Sequence, residues 1–143
     1  MSALKPLDPG ASALMTALRD GADAAAIGFD WPDAAGVMAK VREELAELEE
    51  ALERADGRAD AAVRHELGDL LMALCSLARK LELDPESALA AANERFQDRF
   101  HEMEATAAAR GTPLEGLGAE ALDQLWRDAK ARLDARCQPG ARA

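Results

Sequence analysis

Apolar residues recur along this chain at helical spacing, and no segment alternates convincingly in the manner of a strand. Val37, Val41, Leu45, Leu48 and Leu52 lie four, four, three and four residues apart, which predicts a helix from about Ala34 to Ala55 with Asp33 as its N-cap. A second stripe, Val63, Leu67, Leu70, Leu74, Leu77 and Leu81, widened by Leu71, predicts a helix from about Asp60 to Leu81. Between them Ala55-Asp56-Gly57-Arg58 is the clear break, so the two helices are expected to fold back on each other. Upstream, Ser12 is placed to cap a helix running to about Ala26, which Ile27-Gly28-Phe29-Asp30-Trp31-Pro32 interrupts. Downstream, Asp84-Pro85 opens a helix that reaches about Ala109, because proline at the first helical position removes no needed donor. Gly111-Thr112-Pro113 ends it, and Gly116 and Gly118 keep the chain irregular. A last helix, about Ala119 to Leu133, carries Leu122, Leu125, Trp126 and Leu133. The residues from about 135 to 143 read as a frayed tail. The predicted class is all-α, antiparallel helical hairpins forming a four-helix-bundle-like core.

Composition narrows this picture. The 143 residues suit one domain, and a hydrophobic content of 49% is that of a globular chain. Aromatic residues make up only 3%, with no tyrosine, and alanine and leucine carry the apolar load, which favours helix packing over sheet. No apolar run approaches a membrane span, and the first residues, Met1-Ser2-Ala3-Leu4-Lys5, do not begin a secretory signal, so a cytoplasmic location without membrane contact is expected. Cys75, within core-like leucines, is expected to be a buried thiol, and Cys137 to lie in the tail. Neither has zinc-site spacing. The net charge of −10 argues against a nucleic-acid polymer as partner, since such binders present a basic face. It leaves open a nucleotide presented with a divalent cation.

Four acids then stand out. Glu44 lies as far before the Asp56-Gly57 break as Asp69 lies after it, and Glu47 is related to Glu66 in the same way. A hairpin therefore brings Glu44 opposite Asp69 and Glu47 opposite Glu66. Helical geometry sets Glu44 and Glu66 roughly 60–70° from the centres of their stripes and Glu47 and Asp69 roughly 120–130° away, at the edge of the buried face. Four carboxylates within reach of one another call for a cation. Oxygen-only ligation suits magnesium or manganese over zinc or copper. His65 points about 100° away from Glu66, which suits a surface or packing role, and the Glu-x-x-His signature of di-iron bundles is missing. Glu49, Glu50 and Glu53 belong to a solvated acidic face. Gly68, between Glu66 and Asp69, costs about 1 kcal/mol of helix stability relative to alanine and suggests close approach of another backbone or a ligand. Lys40, one turn before Glu44, and Asn93, Arg95 and Arg99 offer polar and cationic contacts for phosphates, although each cation also suits an ordinary surface pair. Trp31 is a candidate for stacking on a base, with packing as the alternative.

Lys40-Val41-Arg42-Glu43-Glu44-Leu45-Ala46-Glu47-Leu48 followed by Glu66-Leu67-Gly68-Asp69-Leu70-Leu71 resembles the paired ExxE and ExxD motifs of the MazG family of nucleoside triphosphate pyrophosphohydrolases. Gly28-Phe29-Asp30-Trp31-Pro32-Asp33, the segment from Ala91-Asn93-Glu94-Arg95-Phe96 to Arg99-Phe100, and Leu125-Trp126 with Lys130 extend the resemblance over about residues 12 to 133, with a motif core at about 28–110 of a single domain. It is closest to the C-terminal domain of tandem MazG proteins. The resemblance implies that Glu44, Glu47, Glu66 and Asp69 bind magnesium, or manganese, and that Glu43 positions the attacking water. It further implies that Lys40, Asn93, Arg95 and Arg99 contact the phosphates or their metals. The implied reaction splits a nucleoside triphosphate into monophosphate and pyrophosphate, in the service of nucleotide-pool house-cleaning. A homodimer or dimer of dimers is implied, which fits stripes holding more leucine than one hairpin can hide. Arg95 departs from the family's lysine, and the geometry of an arginine differs. A narrower dUTP, dCTP or phosphoribosyl-ATP pyrophosphohydrolase is the same-fold alternative, and a non-catalytic helical dimerisation module is the alternative from another class.

Overall fold

The structure is a computed structural model and describes residues 2–6 and 8–137. Every regular element among these is helical: α1 (Ala13–Ala26), α2 (Ala34–Arg54), α3 (Ala61–Lys80), α4 (Pro85–Ala109), a 3-10 turn (Leu114–Gly116) and α5 (Ala119–Cys137). None of the helices is long and apolar enough to cross a membrane. The chain divides into two compact units, Met1–Ala88 and Leu89–Ala143.

The helix starts are set locally. Ser12, Asp33 and Asp60 are extended N-caps whose side chains accept from the amides of Met15, Gly36 and Val63 at 3.2, 2.8 and 2.9 Å, satisfying donors that the first turn leaves open. The α2 helix stops at a left-handed pair, Asp56 (φ 53°) and Gly57 (φ 72°), where the Gly57 amide reaches back to the Leu52 carbonyl at 2.9 Å. Glycine carries no Cβ to oppose that conformation, and this fixes the hairpin turn.

In the first unit α3 packs against both α2 and α1. A line of less exposed positions, which marks the α2–α3 seam, runs through Val37, Val41, Glu44, Leu48 and Ala51 on one helix and through Val63, Glu66, Leu70, Ala73 and Leu77 on the other. Both follow the three-four spacing of a heptad. This corrects in part the expectation that the leucine stripes mark the buried centre. Leu45, Leu52, Leu67, Leu71 and Leu74 stay 37–48% exposed, while Ala51, Ala73 and Ser76 are buried. These five leucines flank the seam, while Leu48, Leu70 and Leu77 lie within it. Among the described residues the largest fully buried side chains are Val37 and Cys75, so the unit's core is thin. Burial also pushes the Cys75 thiol above its ordinary pKa.

The second unit is a hairpin of its own, in which Met103 and Ala107 of α4 pack on Leu125 and Ala129 of α5. Leu114, Leu117, Leu122 and Trp126 close around them. The α5 helix continues past Leu133 to Cys137, so the expected tail begins later than the sequence pattern suggested. Ala131, Arg132, Ala135 and Arg136 are good helix formers, and the first breakers are Pro139-Gly140. Positions 138–143 of that tail lie outside the described residues.

Candidate metal centre

The hairpin brings three carboxylates together. Glu44, Glu66 and Asp69 each offer an oxygen within 4.8 Å of the other two. Glu44 is the most enclosed, at 5% exposure, because position 44 is a seam position and not the edge position that the stripes implied. Glu66 and Asp69 are half-buried. Glu47, expected as a fourth member, is exposed and stands outside this group. It is still close enough to feel the others. Lost hydration and then the Glu44 carboxylate raise its pKa, with Lys40 opposing and Glu66 adding to the rise.

Lys40 Nζ lies 2.5 Å from Glu44 Oε1 and 2.9 Å from Glu43 Oε1. Glu44 first, and Glu43 after it, hold the ammonium charged well above its ordinary range. Glu44 Oε2, by contrast, is buried with no hydrogen-bond partner. An orphaned carboxylate oxygen in a protein interior is costly, and a cation between it and the oxygens of Glu66 and Asp69 would remove that cost. The donor set is all oxygen and all anionic, which fits a hard divalent ion such as magnesium or manganese.

Sequence reasoning missed one neighbour. His65 Nε2 stands 3.3 Å from Asp69 Oδ2. The i,i+4 spacing of His65 and Asp69 is the sequence signal for this contact. Gly68 also differs from expectation, because a Cβ built there meets nothing within 4 Å in this chain.

Ahead of α2, Asp30 binds the Arg79 guanidinium at 2.5 and 3.1 Å and Lys80 Nζ at 2.7 Å. Arg79 first, then Lys80, holds the Asp30 carboxyl well below the usual range. This clamp joins the loop that leads into α2 to the last turn of α3. Arg79 reaches Asp30 across Gly21 of α1, where a Cβ would stand 3.1 Å from Nε. Trp31 is half-buried and packs on Gly36 in the first turn of α2. With Gly28, Phe29 and Asp30 it lines a pocket of about 260 Å³.

The other sequence candidates belong to the second unit. Asn93 and Arg95 are exposed on α4. Arg99 lies 5.8 Å from the Trp126 ring centroid and 3.6 Å from Asp134, and Phe96 packs on the same tryptophan at 5.3 Å.

Comparison with known proteins agrees with these motifs. The MazG nucleotide pyrophosphohydrolase domain matches residues 34–103. The "Nucleoside triphosphate pyrophosphohydrolase/pyrophosphatase MazG" of Thermotoga maritima is 40% identical over 129 residues, 90% of this chain and 48% of the relative. The "Nucleoside triphosphate pyrophosphohydrolase" of Escherichia coli K12 is 38% identical over 130 residues, 90% of this chain and 49% of the relative. The "Uncharacterized protein YabN" of Bacillus subtilis is 40% identical over 68 residues, 48% of this chain and 14% of the relative. The chain spans about half the length of the first two relatives. With its paired acidic motifs inside the matched segment, the chain belongs to the MazG family.

Proposed function

We propose that this chain is a magnesium-dependent nucleoside triphosphate pyrophosphohydrolase, active in nucleotide-pool house-cleaning in the cytoplasm. The observation that carries this is the convergence of Glu44, Glu66 and Asp69 around a buried, unpartnered Glu44 Oε2. Glu44, Glu66 and Asp69 hold the metal, and Glu47 joins them by a change of rotamer. The ion supplies neutralising charge for the phosphates and acidifies water. Glu43, exposed beside the cluster, positions a water and accepts its proton. The water oxygen bonds to one phosphorus of the α–β bridge, and the bridging oxygen leaves with the other. Nucleoside monophosphate and pyrophosphate result. Lys40 neutralises the phosphates. Asn93, Arg95 and Arg99 form the phosphate-contacting set of the second unit on resemblance alone, and Trp31 is the base-stacking candidate by its ring alone. The resemblance runs through both units, and for that reason we treat 1–143 as one functional domain.

The same reading includes self-association. Leu67, Leu71 and Leu74 lie at four-three spacing and Leu45 and Leu52 seven apart, all substantially exposed. This is the pattern of a second helical seam left uncovered among the described residues of the first unit. A second copy, completing a four-helix-bundle-like core as a homodimer or dimer of dimers, is its occupant in this reading.

A panel of ribo- and deoxynucleoside triphosphates with magnesium tests the activity and also separates broad from narrow selectivity. Pyrophosphate and monophosphate are the expected products. Glu66→Gln and Asp69→Asn should each lower kcat/KM by about 10²–10³-fold, the loss of several kcal/mol of metal assistance, with the helical circular dichroism unchanged. A folded protein that releases no pyrophosphate from any of the panel refutes the proposal.

A further inference from the structure

We propose that Lys40 is a tethered stand-in for the metal. In the metal-free protein its ammonium neutralises Glu44, and metal binding displaces it and frees it for the incoming phosphates. This rests on the metal site proposed above and adds a competition between the site's own lysine and its ion.

Three carboxylates with oxygens within 4.8 Å of one another repel unless a cation stands among them. Lys40 supplies one at the edge of the group, 2.5 Å from Glu44 Oε1. It satisfies only half of that carboxylate, for Oε2 faces no donor. Local helix energetics do not account for the pair, because a lysine four residues before a glutamate is the weaker order on a helix. The side chain suits a temporary role. A lysine carries a compact charge on a flexible stem, and this one is 34% exposed, so a path to solvent is open. Glu43, 58% exposed and 2.9 Å from the same Nζ, gives it a second partner on the outer side. Two cations cannot share Glu44 cheaply, since like charges a few ångströms apart repel even where water screens them. Occupancy by the metal and contact with Lys40 therefore weaken each other.

Titration with Mn²⁺ alone, without nucleotide, tests the exchange. Lys40→Met should bind Mn²⁺ about five- to tenfold more tightly than wild type, the effect of removing one close competing charge. Lys40→Arg, which keeps a cation there, should not gain. The gain in Lys40→Met should persist in about 0.5 M salt, where a mere long-range field would be screened. In the wild-type protein, acetylation of Lys40 read by peptide mass spectrometry should quicken on adding Mn²⁺ alone. That readout holds even if the methionine variant folds poorly. Equal Mn²⁺ affinity in wild type and Lys40→Met, or Lys40 acetylation that Mn²⁺ leaves unchanged, overturns the exchange. If Glu44→Gln still abolishes binding in that case, the metal site itself stands. Failure of Mn²⁺ to bind wild type and Lys40→Met alike overturns both the exchange and the site.

Discussion

Gly68 sits in mid-helix between two of the site's acids, at a cost of about 1 kcal/mol of helix stability relative to alanine. Nothing in the chain demands it, since a Cβ there meets no atom within 4 Å and its backbone lies outside the left-handed region. Gly68→Ala is therefore expected to stabilise the isolated chain by about 0.5–1 kcal/mol, read as a raised Tm. The same variant should lose kcat/KM, because an open surface flanked by Glu66 and Asp69 is where a ligand or second backbone would come close. A variant that gains stability at full activity would leave the glycine without a functional reason. The neighbouring residues show how position decides role. Glu44 and Glu47 are both glutamates in one acidic run, yet one is buried at a seam position and the other is exposed. Composition makes them equal and helical phase separates them.

At the level of the elements, the parts that the sequence revealed are those governed by local chemistry. Ser12, Asp33 and Asp60 cap where their side chains can reach amides three residues on, and Asp56-Gly57 turns where a left-handed pair is tolerated. Because that turn was legible, so was the pairing of Glu44 with Asp69 across it. What the pattern hid was which side of each helix meets its neighbour. The leucines divide between the seam and its exposed flanks, whereas Ala51, Ala73 and Ser76 are buried. The clamp of Asp30 on Arg79 and Lys80 was hidden for another reason: it joins residues some fifty positions apart, and ion pairs have no period. Its pH dependence is a test of its worth. The folded-state pKa of Asp30 lies below the unfolded value of about 4, so folding favours its ionised form. Its contribution is then complete above that value and is lost as the pH falls through the depressed folded pKa. Asp30→Asn should lower Tm at pH 7, and the gap to wild type should narrow as the pH is taken to about 3. A gap independent of pH would mean that the clamp acts by shape alone.

For the whole molecule, the deciding quantity is the apolar surface left over. Fully burying a leucine is worth about 1.5–3 kcal/mol, and Leu45, Leu52, Leu67, Leu71 and Leu74 each forgo much of that in the single chain. Val37 and Cys75, the largest fully buried side chains among the described residues, are a slender core for a hairpin of two long helices. A protein of net charge −10 that still leaves such a row of leucines uncovered has reason to cover it with an equivalent surface. Replacing Leu71 and Leu74 by lysine tests the proposed self-association through this face. Both are nearly half exposed, so the chain should keep its helical content with a modest fall in Tm. Self-association should be lost, because two buried charges on each copy would face their equivalents across the interface. Sedimentation equilibrium should then give a single-chain mass at concentrations where wild type gives a multiple of it. Pyrophosphate release should fall in parallel, although Glu44, Glu66 and Asp69 are untouched, if the bundle that supports the site needs both copies. A double variant that sediments like wild type would place the contact between copies elsewhere.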